Sequence, residues 1–133
     1  MSTQIFVNLP VKDLDRSVTF FTRLGFSFNP EFTNENATCM IVDDNIFVMF
    51  LVEKFFKTFT PKEVCDTSKY TEVLICLSCD TREKLEQMVK NAVNAGGSVP
   101  IHPKDHGFMY QHGFQDIDGH MWELVYMASQ SAQ

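Results

Sequence analysis

The fold is decided by one stretch near the C-terminus, residues 114–125, which reads FQDIDGHMWELV. The Asp-Gly pair at its centre is a strong tight-turn signal, because glycine adopts positive φ without steric cost and the runs on either side have the composition of strands. Side chains alternate along a strand, so Glu123 shares a face with Met121 and Val125. A carboxylate among apolar neighbours needs a cation, a hydrogen-bond donor or water. The alternative is a glutamate at the rim of the protein that reaches solvent.

Composition indicates one compact domain. The chain has 133 residues, of which 44% are hydrophobic and 21% charged, as in ordinary globular proteins. Its longest apolar stretch, residues 46–52, is far shorter than the roughly 20 residues of a membrane-spanning helix. The first residues lack the basic segment of a signal peptide. We therefore expect a cytoplasmic protein with no membrane partner.

Charge and cysteine content exclude two further classes. The net charge is −6, from 11 basic and 17 acidic residues, and the basic residues form no stripe, which argues against a nucleic-acid partner. The four cysteines are expected to be free thiols in a chain without an export signal. Cys76 and Cys79 have CxxC spacing, but residues three apart on a strand point to opposite faces, so this pair is not expected to bind a metal or act in redox chemistry.

The first half of the chain reads as a βαβββ unit. Residues 4–10 have the pattern of a strand, and Asp13 then caps a helix that runs to Leu24 and is closed by Gly25. Three extended runs follow, at residues 26–32, 36–43 and 45–52.

The second half repeats this pattern. A strand at residues 71–79 is followed by a helix that Asp80 caps and that stops at Gly96. The remaining predicted strands are residues 98–101, 108–116 and 120–127, and residues 60–63 (TPKE) predict a short capped helix between the halves. The sequence thus predicts an α+β protein in which one domain, 1–133, holds modules at 4–53 and 70–128 joined by a linker at 54–69.

Several of these segments resemble a known family. They are LPVKDLDRS at 9–17, FF at 20–21, LGF at 24–26 and DIDGHMWEL at 116–124. Together with the paired modules, they are similar to the vicinal oxygen chelate superfamily, which includes glyoxalase I, extradiol dioxygenases, fosfomycin-resistance proteins and bleomycin-resistance proteins. The resemblance covers nearly the whole chain. It implies the glyoxalase/bleomycin-resistance/dioxygenase fold, with mixed sheets enclosing a cleft, and a homodimer.

The resemblance also implies where a metal would be held. The C-terminal glutamate ligand falls on Glu123, but the other ligand positions fall on Phe6, Leu74 and Met49. Phenylalanine and leucine cannot bind a cation, and a thioether is a poor ligand for hard or borderline metals. We therefore expect no metal site of the usual kind and no cofactor.

The second module is rich in histidine, with four within nineteen residues: His102, His106, His112 and His120. Histidine is a common metal ligand, and Asn8, on the same face as Phe6, adds a carbonyl oxygen. His120 and Glu123, however, face opposite ways on one strand. We instead expect His106, Tyr110 and Gln111 to be polar groups that line a pocket.

Two functional classes follow from these residues. The first is a binding protein that holds a small molecule in an apolar cleft lined by Phe6, Met49 and Leu74, with Asn8 and Glu123 fixing its orientation. The second is a glyoxalase-like lyase or isomerase in which Glu123 is the catalytic base. A further alternative is a metal-dependent lyase or dioxygenase whose non-standard site uses Glu123. The sequence leaves open whether there is turnover.

Overall fold

The computed structural model describes residues 2–128, which divide into two compact units with the boundary between Cys65 and Asp66. Each unit contains one four-stranded mixed sheet and one long helix. The predicted α+β class is confirmed. Within residues 2–128 there is no helix that is both long enough and apolar enough to cross a membrane.

The sheet of the first unit has the strand order β1-β4-β3-β2, with β1 parallel to β4 and the other pairs antiparallel. Its elements are β1 (Ile5–Val11), α1 (Leu14–Arg23), β2 (Ser27–Asn29), β3 (Ala37–Asp43), β4 (Ile46–Val52) and the short helix α2 (Glu53–Phe56).

Helix α1 forms where its cap and apolar spacing predict. The Asp13 carboxylate accepts a hydrogen bond from the Arg16 N–H at 3.2 Å. The helix buries Phe20 and Phe21, and the Phe21 ring stacks on Phe50 of β4 with 5.0 Å between centroids. This packing places the core on one face of the sheet. We call the face turned away from the helix the open face of each sheet.

The sheet of the second unit has the order β5-β8-β7-β6, with β5 parallel to β8. Its elements are β5 (Leu74–Ser78), α3 (Arg82–Asn94), β6 (Lys104–Asp105), β7 (Met109–Gln115) and β8 (Met121–Met127). Helix α3 buries Leu85, Val89 and Ala92. Trp122 and Leu124 of β8 are also fully buried, on the helix side of the sheet.

Two predicted strands are wrong in extent. The run at residues 26–32 contains a strand of only three residues, because a 3₁₀ helix, Pro30–Phe32, begins when the Asn29 side chain accepts a hydrogen bond from the Glu31 N–H. No strand forms at 98–101 either. Ser98 makes a single bridge to Gln115, and the chain then runs as a loop to the two-residue strand β6.

Two predicted helix starts are also wrong. Helix α3 is capped by Thr81 and not by Asp80, because the Thr81 hydroxyl accepts the Lys84 N–H at 3.0 Å. The segment 60–63 makes only a local turn, since four residues nucleate a helix poorly without packing. The short helix of this region is α2, which follows directly on β4 and continues as a 3₁₀ helix, Lys57–Phe59.

The turn between β7 and β8 is held by Asp116, which is only 6% exposed. Its carboxylate accepts the backbone N–H groups of Asp118 (2.9 Å) and His120 (3.0 Å) and the indole N–H of Trp122 (2.9 Å). Burial raises the pKa of Asp116 in spite of these donors. At the tip, Gly119 has φ of 89°, and a side chain there would overlap Thr67. The turn therefore fixes the register of β7 on β8.

We predict that Asp116→Asn lowers the free energy of unfolding by about 1–3 kcal/mol. Both carboxylate oxygens of Asp116 accept hydrogen bonds, whereas an asparagine side chain has only one oxygen. In either orientation its NH₂ group would face an N–H donor of the turn or of Trp122. Urea unfolding monitored by circular dichroism measures the change. The same substitution should cost less in a Trp122→Phe background, where the indole donor is gone. Unchanged or increased stability of Asp116→Asn would contradict the argument.

Candidate functional site

The open face of the second sheet carries one carboxylate, Glu123, among apolar side chains. In the register of β5 on β8, Leu74 lies beside Met121 and Cys76 lies beside Glu123. Leu74 is 55% exposed and Glu123 is partly exposed, whereas the neighbouring Trp122 is buried on the other face. The alternation predicted along β8 is therefore present.

A cavity of about 130 Å³ extends from Leu74 of β5 across β8 to β7 and the loop before β6. Leu74, Met121 and Glu123 line it from the sheet, and Pro100, Ile101 and His102 line it from the loop before β6. Walls of this kind, mostly apolar with a few polar groups, are typical of small-molecule sites.

The sheet edge beside this cavity is incomplete. Strand β6 pairs only with Tyr110 and Gln111 of β7, and the Ser98 bridge pairs only with Gln115. Between them, residues 112–114 have no strand partner on the outer side within the described part of the chain. His112, Gly113 and Phe114 of this stretch also line the cavity.

His112 contributes an imidazole whose Nδ1 atom is buried and makes no hydrogen bond to any residue between 2 and 128. Burial lowers the pKa of His112, the charge of His102 lowers it further, and Glu86 opposes the shift. The ring is therefore neutral near pH 7. In a neutral imidazole one nitrogen donates and the other accepts, and the Nδ1 atom of His112 is both unpaired and shielded from solvent.

Gly113 allows the close approach of β7 to β8 beside Glu123. It lies directly opposite Glu123 in the register of β7 on β8. A Cβ atom at this position would overlap the Trp122 carbonyl oxygen and would lie 3.3 Å from the Cα of Glu123. No side chain fits there without a shift of the backbone, so glycine is required by the close approach of the two strands.

Cys76, beside Glu123, is not an activated nucleophile. Burial and the negative charge of Glu123 both raise the pKa of its thiol, which disfavours the reactive thiolate. None of the four cysteines, all of which lie within the described residues, forms a disulfide.

The structure brings together only some of the predicted site residues of the second unit. Leu74 and Glu123 line the cavity, whereas His106 and Tyr110 do not. The His106 ring nitrogen Nε2 lies 3.0 Å from the side-chain oxygen of Gln111. Tyr110 is buried on the helix side, where its hydroxyl donates to Glu86 at 3.0 Å. The sequence could have shown that Tyr110 lies on the helix side, because it is four residues from the core residue Phe114 on the same strand and such residues share a face.

Sequence reasoning did not single out His102, His112 or Gly113 as pocket residues. The sequence marks His102 and His112 only as possible metal ligands. The signal for Gly113 is an isolated glycine inside a strand pattern, which often marks a close backbone approach.

In the first unit, the predicted residues Phe6, Asn8 and Met49 share the open face of the sheet. Asn8 lies beside Met49, and the Phe6 ring stacks on Phe47 with 4.9 Å between centroids. Phe6 is 44% exposed. Phe6, Phe47 and Met49 therefore form an apolar surface beside the Asn8 amide.

The first unit also matches a family model. Residues 3–43 match the model described as bleomycin resistance protein-like N-terminal. No curated protein matches the chain significantly.

Solved structures match over nearly the whole chain. The hypothetical protein SA1046 from S. aureus is 27% identical, with a TM-score of 0.80 and 95% of each chain covered. A glyoxalase/bleomycin resistance protein/dioxygenase family enzyme from Burkholderia phytofirmans PsJN is 15% identical, with a TM-score of 0.80 over 95% of this chain and 99% of that one. A bleomycin resistance determinant encoded on the transposon Tn5 is 20% identical, with a TM-score of 0.66 over 96% and 99%.

The protein therefore has the glyoxalase/bleomycin-resistance fold. The match of residues 3–43 to the family model supports the resemblance of this chain to the vicinal oxygen chelate superfamily.

The residues of this chain do not fit the metal that the superfamily implies. Phe6 and Met49 lie on the open face of the first sheet and Leu74 on that of the second, at the positions where ligands are expected. Among residues 2–128, no group of three or more His, Cys, Asp or Glu side chains is placed to hold a metal ion. Glu123 alone offers a carboxylate, which is too few donors for a stable site.

We predict that the stability contributed by His112 depends on pH. Because its pKa is lowered in the folded protein, the unfolded chain binds more protons between that value and the ordinary 6.5. The stabilisation is complete above the ordinary value and is lost as the pH falls through the lowered one. Urea unfolding between about pH 7 and 5 should show a steeper loss for the parent than for His112→Phe. His106→Gln, at an exposed imidazole, serves as the control and should keep the parent slope.

Proposed function

We propose that this protein binds a small molecule without a metal ion, and that Glu123 is the polar group that orients the ligand. The observation that carries this proposal is the cavity of the second unit, in which one carboxylate lies among Leu74, Ile101 and Met121. Apolar walls supply affinity through surface removed from water, and one fixed charge supplies orientation. The ligand class is an amphipathic molecule with a cationic or hydrogen-donating group.

The apolar open face of the first sheet supports the same proposal. Phe6 and Phe47 present stacked rings there, and Asn8 adds one amide. We propose that Phe6, Asn8 and Met49 contact ligand as well. We also propose a homodimer and a cytoplasmic location; the exposed Phe6 ring on the open face supports a partner that covers this face.

A second candidate function is metal-free lyase or isomerase chemistry in the same cavity. It is favoured by two imidazoles, His102 and His112, which line the cavity together with Glu123. A carboxylate can remove a proton from a substrate while a neutral imidazole relays or returns it. The protonated state of Cys76 argues against a covalent thiol mechanism.

We predict that Glu123→Gln weakens the binding of benzylamine, a small apolar cation, by about tenfold, or roughly 1.4 kcal/mol. The substitution keeps the shape of the side chain and removes its charge. Binding is measured by ¹H–¹⁵N NMR titration at pH 7, with Glu83→Gln as the matched control because Glu83 is an exposed carboxylate on α3 outside the cavity. Equal affinity in the parent and in Glu123→Gln would show that Glu123 lies at the rim and does not orient the ligand.

We also predict that protein purified without chelator carries far less than one Zn, Ni, Fe or Mn ion per chain. The physical reason is the absence of ligand atoms at Phe6, Met49 and Leu74. Elemental analysis measures the content, and treatment with EDTA should leave benzylamine affinity unchanged. One divalent ion per chain that is lost in Glu123→Gln would show that a non-standard metal site exists.

A further inference from the structure

The outer edge of β7 has a regular pattern of backbone groups. Ser98 donates its N–H to the Gln115 carbonyl at 3.0 Å, and Gln115 donates its N–H to the Ser98 carbonyl at 2.8 Å. Both backbone groups of Gln115 therefore point away from β8. In an antiparallel ladder this direction recurs at every second residue, so the backbone groups of Gly113 and Gln111 also point outward.

Only one of these three outward positions has no paired strand residue within residues 2–128. Gln115 is paired by Ser98, and Gln111 is paired by Lys104 of β6. Gly113 lies between them, and within residues 2–128 no strand residue pairs with its outer side. Gly113 lines the cavity. Its N–H and C=O are a donor and an acceptor that the cavity presents to a ligand.

The shape of this gap specifies its occupant. The residue that pairs with Gly113 in an antiparallel ladder supplies a C=O and an N–H from the two sides of one Cα atom. A single trans amide cannot bond to both the N–H and the C=O of Gly113, because its own N–H and C=O point in opposite directions. An extended –NH–CHR–CO– unit can bond to both, because its N–H and C=O point to the same side. The gap is one position long, since the flanking positions 111 and 115 are already paired.

We propose that the cavity binds one extended aminoacyl unit, as in an N-acyl amino acid amide or a small peptide-like molecule, which completes the edge of β7 at Gly113. The N–H of the unit donates to the Gly113 carbonyl, and its C=O accepts the Gly113 N–H. This inference rests on the proposed small-molecule binding and names the ligand class. Adding a strand to a free sheet edge is a common way of recognising peptides.

Glu123 lies beside this position, because it pairs with Gly113 in the register of β7 on β8 and lines the same cavity.

The test compares N-acetyl-alanine methylamide with its ester analogue, in which the alanine N–H is replaced by oxygen. The pair has the same shape and differs in one donor. We expect the amide to bind at least about fivefold more tightly, which is the size of one hydrogen bond. In ¹H–¹⁵N spectra the Gly113 resonance should shift. Its hydrogen exchange should be faster than that of Phe114 in the free protein and should slow when the amide binds.

Leu74→Trp, which narrows the cavity, should weaken amide binding by about tenfold or more. Val93→Trp, on the exposed side of α3, is the matched control and should leave affinity unchanged. Equal affinities for amide and ester, or a Gly113 N–H already protected in the free protein, would overturn the inference. Binding of benzylamine without binding of the amide would overturn it while leaving the proposed function intact. Failure of all three molecules to bind would overturn both.

Discussion

The second unit depends on one buried carboxylate. Asp116 accepts three hydrogen bonds at the turn between β7 and β8, two from the backbone of the turn and one from the indole of Trp122. Burying this charge is costly, as the raised pKa of Asp116 shows, and the three donors offset part of that cost. The indole hydrogen bond ties the turn to the core. Because the turn fixes where β8 begins and side chains alternate along a strand, Trp122 lies in the core and Glu123 lies on the open face.

The elements that could be predicted from the sequence are those whose signals are local. The cap of α1 at Asp13, the turn before β8 and the alternation along β8 all depend on residues close in sequence, and each is present. The predicted elements that are wrong are those whose formation depends on pairing with residues far away in the sequence. Residues 98–101 have strand-like composition, but only Ser98 finds a partner, so composition alone could not show that the edge of β7 stays open.

The candidate site shows the same division. Glu123 could be placed on a face with Met121 and Val125 from alternation alone, because one turn sets the phase of β8, whereas Leu74 follows from the family resemblance. Gly113 and His112 could not. Their importance comes from the gap between the Ser98 bridge and β6, which is a property of tertiary pairing. Tyr110 was predicted to line a pocket because it carries a hydroxyl group. In the structure its ring packs in the core and only the hydroxyl reaches a polar partner, Glu86.

The open edge is maintained by contacts made elsewhere. Arg82 of α3 binds Asp105 of β6 at 3.0 Å, and its guanidinium carbon lies 3.7 Å from the centroid of the Tyr110 ring. These contacts hold the two-residue β6 beside the start of β7, while the Ser98 bridge holds the loop beside the end of β7. The loop between them is fixed at both ends and is not drawn into a continuous strand. The Ser98 bridge and β6 therefore bound the unpaired position at Gly113 on its two sides.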